Sequence, residues 1–195
     1  VGYQSSYSNT TGTGNTSLGY VSMFGNTTGN YNTVSGWGGL SSNTTGSSNS
    51  AFGYQSLNSN TTASNNTAVG YQAGYSNTTA TNNVAVGYKA GYTTTTGISN
   101  TSVGTSSLQL NTTGQNNVAL GTGSLYANTT GQSNTSVGSN ALVANTTASN
   151  ITAVGYRALA GNTTGAGNNA LGYQALATNT TANYNTAFGH VALSL

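Results

Sequence analysis

The chain has no aspartate, no glutamate, no cysteine and no proline in 195 residues, and its only charged side chains are Lys89 and Arg157. Each absence removes a class of function. Without carboxylates there is no acid/base pair of the glycosidase kind and no aspartate to orient a catalytic histidine. Acidic calcium loops are excluded for the same reason. One histidine, His190, with no cysteine cannot make a zinc site from a single chain. The chain is therefore expected to be no enzyme and to need no cofactor. A formal charge of +2 on two isolated basic residues is not the footprint of a nucleic-acid binder. No apolar run approaches the ~20 residues that a membrane-spanning helix needs. Zero cysteine fits any redox compartment. Low complexity does not mean disorder here, because disordered chains owe their solubility to high net charge.

What is present is one line written over and over. Lines begin at Val1, Leu18, Ser35, Phe52, Val69, Val86, Val103, Leu120, Val137, Val154, Leu171 and Phe188, always 17 residues apart. Eleven full lines fill residues 1–187, and residues 188–195 begin a twelfth. With no insertion or deletion, there is no linker, and residues 1–195 read as a single array. The start at Val1 and the stop in mid-line lead us to expect a piece of a longer fibre.

We number the columns 1 to 17 from those starts. Column 1 is apolar except at Ser35, and column 2 is glycine throughout, as in Gly2, Gly70 and Gly87. Column 3 is mostly aromatic: Tyr3, Tyr20, Trp37, Tyr54, Tyr71, Tyr88, Tyr156 and Tyr173. Column 5 is small and column 6 mostly leucine, as in Leu142 and Leu159. Column 9 is asparagine except at Thr94, columns 10 and 11 are threonine without exception, and column 12 is glycine or alanine. Column 15 is asparagine except at Ile151, and column 17 is alanine, serine or valine.

Helical repeats place apolar residues three and four apart. This line instead has two short apolar patches separated by Gly, Asn and Thr, which are poor helix formers. Gly and Asn suit turns, and Thr, Val and Tyr suit strands. The period matches one coil of a β-solenoid. The sequence thus predicts an all-β fold, a β-solenoid or parallel β-roll of about 11.5 coils, and at about 4.8 Å per coil a rod about 55 Å long. Stacking turns each column into a ladder of like residues: Gly2, Gly70 and Gly87; Val69 and Val86; Leu142 and Leu159; Asn77 with Thr78 and Thr79; Asn66 and Asn83. Asn columns can pass amide hydrogen bonds from coil to coil, and aromatic columns can stack. A charged column would set like charges side by side, which is unfavourable. That accounts for the missing charge.

Columns 17 and 1 are adjacent and both apolar or small, as in Ala85-Val86. Successive strand residues point to opposite faces. On that parity one column fills the coil interior and the other is left as an apolar stripe along the rod, which needs a cover; the alternative is a bulge or turn at the column 2 glycine that brings both columns to one interior. Sister chains around a rotation axis are the simplest cover.

The segments NNTAVGYQA (Asn65–Ala73), NNVAVGYKA (Asn82–Ala90), NTSVGSNAL (Asn134–Leu142) and NTAFGHVAL (Asn185–Leu193) resemble the YadA-like head repeats of trimeric autotransporter adhesins. Similar repeats occur in phage tail fibres. The resemblance covers every line but about six of the 17 columns, and the Asn-Thr-Thr segment lies outside it. It implies a homotrimeric parallel β-roll whose apolar pair splits between the roll interior and the trimer interface. It also implies an extracellular place, on a cell surface or a virion fibre.

Three surfaces are candidates for function. Asn9, Asn26, Asn43, Asn60, Asn77, Asn111, Asn128, Asn145, Asn162 and Asn179 each open an Asn-Thr-Thr glycosylation sequon, and further sequons begin at Asn15, Asn65, Asn100, Asn134 and Asn150. The alternative reading is a turn and ladder in which Asn and Thr bond the local backbone. The aromatic column, Tyr3, Tyr20, Trp37, Tyr54, Tyr71 and Tyr88, is a candidate strip for host-surface carbohydrate, interrupted at Thr105, Thr122 and Ser139. Columns 9 and 11, read as one extended face of Asn and Thr, are a weaker candidate for ice binding. Lys89 and Arg157 share column 4 and are expected to be solvated. The expected function is a non-enzymatic shaft or head of an extracellular fibre, structural or adhesive, whose partner is itself. The alternative is a self-assembling filament or matrix protein, joined end to end.

Overall fold

In the computed structural model, which describes residues 1–194, every regular element is a three-residue strand. The strands are β1 (Thr16–Leu18), β2 (Thr33–Ser35), β3 (Ser50–Phe52), β4 (Thr67–Val69), β5 (Val84–Val86), β6 (Thr101–Val103), β7 (Val118–Leu120), β8 (Thr135–Val137), β9 (Thr152–Val154), β10 (Asn169–Leu171) and β11 (Thr186–Phe188). They form one parallel sheet in chain order. Each pairs with the strand one repeat away, so Thr67 faces Val84, Ala68 faces Ala85 and Val69 faces Val86. The molecule is a β-solenoid in which columns 16, 17 and 1 supply the sheet and the other columns wind back to the next strand.

Stacking does not depend on the sheet alone. Around the coil from Phe52, the amide of Leu57 donates to Ala73, that of Ser59 to Tyr75 and that of Thr61 to Thr78, all one coil ahead. On the same coil the amides of Gly53, Gln55 and Asn65 donate to the coil behind. The backbone is thus hydrogen-bonded to its neighbours all the way round, as buried peptide groups require.

The path of the coil demands unusual backbone. Columns 4, 6 and 14 lie in the left-handed region, including residues as bulky as Leu57 (φ 48°), Leu108 (φ 50°) and Val21 (φ 46°). Such a conformation costs an ordinary residue about 1–2 kcal/mol, and it persists only where the surroundings enforce it. Here the neighbouring coils do so. Column 2 is more restrictive. Gly70 has φ 133°, and a Cβ there would sit 2.5 Å from the carbonyl oxygen of Gly87 on the next coil. That clash recurs on every coil followed by another, from Gly2 at 2.3 Å to Gly172 at 2.2 Å, which is why the column admits nothing but glycine.

Columns 17, 5 and 6 fill the apolar part of the interior, with Val34, Leu40, Ala68, Leu125 and Leu159 fully buried. The rest of the interior is amide. Asn26, Asn43, Asn60, Asn111, Asn128, Asn145 and Asn162 of column 9 are fully buried, as are Asn32, Asn49, Asn117, Asn134 and Asn168 of column 15.

Candidate functional site

No buried side-chain nitrogen or oxygen among the described residues lacks a hydrogen-bond partner. The column 9 amides form a chain: Asn43 Nδ2 donates to Asn26 Oδ1 at 2.7 Å, and Asn60 Nδ2 to Asn43 Oδ1 at 2.7 Å. The second N–H of each closes its own loop on the column 12 carbonyl, as from Asn60 to Ala63 at 3.0 Å. Column 15 works differently. Its Oδ1 accepts the backbone amide of the next column 15 residue, as Asn32 does from Asn49 at 2.9 Å, while its Nδ2 reaches the column 12 carbonyl of the following coil. Asn77, Asn66 and Asn83 occupy these ladders as the spacing implies.

This arrangement decides what the Asn-Thr-Thr columns offer a ligand. At Asn43, Asn60 and Asn128 both side-chain N–H groups are committed inside the rod, so a glycan there would have to break the ladder. Among the sequon asparagines, Asn65 and Asn150 of column 14 are exposed, as is Asn9 on the first coil. The expected shared face of columns 9 and 11 is not formed: column 9 points in and column 11 points out. The loop bends between them, because each column 10 hydroxyl donates to the backbone carbonyl of the next column 10 threonine, as Thr78 does to Thr95 at 3.1 Å. Thr79 and its column partners remain exposed as a single file, not the two-dimensional array that ice binding would use.

The outward face of the sheet carries column 16, mostly threonine, and column 1. Column 17 points in and column 1 points out. Leu18, Phe52, Val69, Val103, Leu171 and Phe188 are all exposed, Leu18 by 51% and Phe188 by 79%. Val86, Leu120, Val137 and Val154 lie between them, half-buried by their neighbours. The result is a ladder along the rod that is apolar at every rung but Ser35.

Beside it runs column 3. Tyr3, Tyr20, Trp37, Tyr54, Tyr71 and Tyr88 form one continuous stack, with ring centroids 4.9–5.8 Å apart and planes within 14° of parallel. Their faces cover one another and their edges meet solvent. A sugar ring would need a free face to stack on, so the strip offers edges and hydroxyls only. After the gap at Thr105, Thr122 and Ser139 the stack resumes as Tyr156, Tyr173 and His190. His190 lies 5.0 Å from Tyr173, as a ring of the stack. Lys89 is not freely solvated: its Nζ sits 5.5 Å from the Tyr88 centroid and 5.2 Å from that of Tyr92. Arg157 is exposed.

Two features of the surface escape the column reading. Column 7 carries shorter stacks, Tyr7 on Phe24 and Tyr75 on Tyr92, for which the irregular run Tyr, Phe, Ser, Asn, Tyr, Tyr was a faint signal. The left-handed columns had almost none, since Gln, Leu, Val and Lys fill them alongside Gly and Asn. Among the described residues no three His, Cys, Asp or Glu side chains come together to hold a metal, and no helix is long and apolar enough to cross a membrane.

The fold and its ladders define a β-solenoid repeat protein, rich in asparagine and threonine. Comparison with protein-family models, with curated proteins and with solved structures finds no match.

Proposed function

We propose that the chain is a structural rod that assembles side by side with copies of itself, as the shaft or head of an extracellular fibre. The observation that carries this is the column 1 ladder. It is in register over eleven strands, apolar at every rung but Ser35, and no described residue covers its exposed rungs. Contiguous apolar surface of this extent marks an interaction site. A second copy of the same ladder is the partner whose spacing matches by construction, and closed rotational symmetry lets each copy cover the next. Three copies are favoured by the resemblance to the head repeats of trimeric adhesins. The aromatic column argues for a mechanical role over an adhesive one, because its ring faces are spent on each other.

Native mass measurement tests the assembly. The chain weighs 19.4 kDa, and a particle of three times that mass is expected. The paired variant Leu120→Lys/Val137→Lys sets like charges at adjacent outward positions and is expected to leave a folded monomer. A parent chain that stays monomeric at high concentration would overturn the assembly, and indefinite filaments in micrographs would favour end-to-end joining.

A further inference from the structure

The interior of the rod is not uniform along its length. Column 6 holds Met23, Leu40 and Leu57, then Gly74 and Gly91, then leucine again from Leu108 onward. Two successive rungs of the largest apolar ladder are missing. In the same stretch Thr94 takes the place of a column 9 asparagine. Asn77 donates back to Asn60, and Asn128 to Asn111, but the amide chain does not cross from Asn77 to Asn111. Asn111 Nδ2 keeps only the bond to Gly114 O of its own loop.

The unfilled space is a cavity of about 20 Å³, bounded by Leu57 and Leu108 and lined by Gly74, Gly91, Thr94 and Ser102. The buried apolar side chains accordingly form two separate clusters, one from Met23 to Ala90 and one from Leu108 to Ala187. The outer stacks end here too, column 3 at Tyr88 and column 7 at Tyr92. Strand pairing and the column 15 ladder run through unbroken, from Asn83 to Asn100 to Asn117.

In a solenoid each coil touches only its neighbours, so stability is a sum of intrinsic and nearest-neighbour terms. Cooperativity weakens where a junction loses its apolar core contact and part of its side-chain ladder, and the segments on either side then open as separate units. We infer that the coils from Val69 to Ser102 are a weak joint that divides the rod into two separately opening blocks. Backbone bonds, the column 10 hydroxyls and column 15 keep the joint in register, while the core and the column 9 ladder no longer bind one block to the other. A bending or pulling load opens the rod here before it opens anywhere else. The inference does not depend on what the rod assembles with.

The two basic residues make trypsin a direct test. Lys89 lies within the joint, half-buried against Tyr88 and Tyr92, whereas Arg157 is exposed inside the C-terminal block. Surface exposure ranks Arg157 as the faster site, and the joint ranks Lys89 as the faster. The full chain is digested below its first melting transition, fragments are followed by mass spectrometry, and each rate is divided by that of the denatured chain. Cleavage at Lys89 is expected to be at least about tenfold faster than at Arg157, because an open joint is the more populated state. The variant Gly91→Leu/Thr94→Asn restores both missing rungs on one coil and is expected to slow Lys89 cleavage by a similar factor. Should that variant misfold, Leu142→Gly tests the same idea in reverse and is expected to speed cleavage at Arg157. Equal rates in the parent, or Arg157 first, would overturn the joint. So would an unchanged Lys89 rate in the filled variant.

Discussion

Asn128 shows what a single rung does. Its Nδ2 donates to Asn111 Oδ1 at 2.9 Å and to Gly131 O at 3.0 Å, and its own Oδ1 accepts from Asn145 at 2.9 Å. The side chain is fully buried. Asn128→Asp keeps the shape and removes both donors. The new carboxylate would face two acceptors in a dry interior, so burial and those acceptors would hold its pKa above the ordinary carboxylate value. A raised pKa in the folded state means stability that is lost as pH rises through the titration. An uncompensated buried charge costs about 3 kcal/mol or more. At 2–4 °C per kcal/mol for a chain of this size, the variant is expected to melt at least about 6 °C below the parent at pH 7 and to recover part of that on acidification. Thermal melts of the two chains at neutral and acidic pH measure it. That column 9 bonds from coil to coil was legible in the sequence, because an invariant amide in a stacked fold has little else to do. That column 15 uses its oxygen for a backbone amide was not, because both schemes need the same residue type.

The element of this fold is the 17-residue coil, of which the strand is only three residues. Each coil is specified by the coil beside it, so length matters more than local composition. Removing a whole line, Leu120 to Ser136, sets Val137 after Ala119 and returns every later residue to its own ladder. That deletion is expected to shorten the rod by about 4.8 Å and to move the melting midpoint by no more than about 4 °C, close to 1 kcal/mol on the same scale. Deleting the single exposed residue Gln132 takes one step out of a 17-residue coil whose backbone bonds to the coils on either side, and is expected to cost more than the whole line. Scattering for length and calorimetry for stability measure both. At this scale the parity of columns 17 and 1 was readable, since a small residue beside a branched one in a strand leaves two choices, and the sheet takes the one that buries alanine. The opposite sides taken by columns 9 and 11 were not readable, because the column 10 hydroxyl bond bends a segment whose residues all favour extension. Nor were the left-handed turns: Leu57 and Leu108 adopt positive φ because stacked neighbours hold them there, and no residue preference announces it.

Across the whole molecule, charge is scarce because the fold stacks each column on itself, and a charged column would set like charges side by side. A chain with no side-chain carboxylate has nothing of that sort to protonate on acidification, the usual route to acid unfolding. With two charges on the surface there is little for salt to screen. The rod is therefore expected to hold its form as pH and salt change, and the joint proposed above to set where it yields. The most direct test of this neutral-ladder construction is the melting midpoint of the intact chain from about pH 3 to about pH 9, at low and high salt. Neutral ladders predict a midpoint constant to within about 3 °C, less than the effect of about 1.5 kcal/mol. A fall of about 10 °C or more at either end, or a comparable shift with salt, would contradict them.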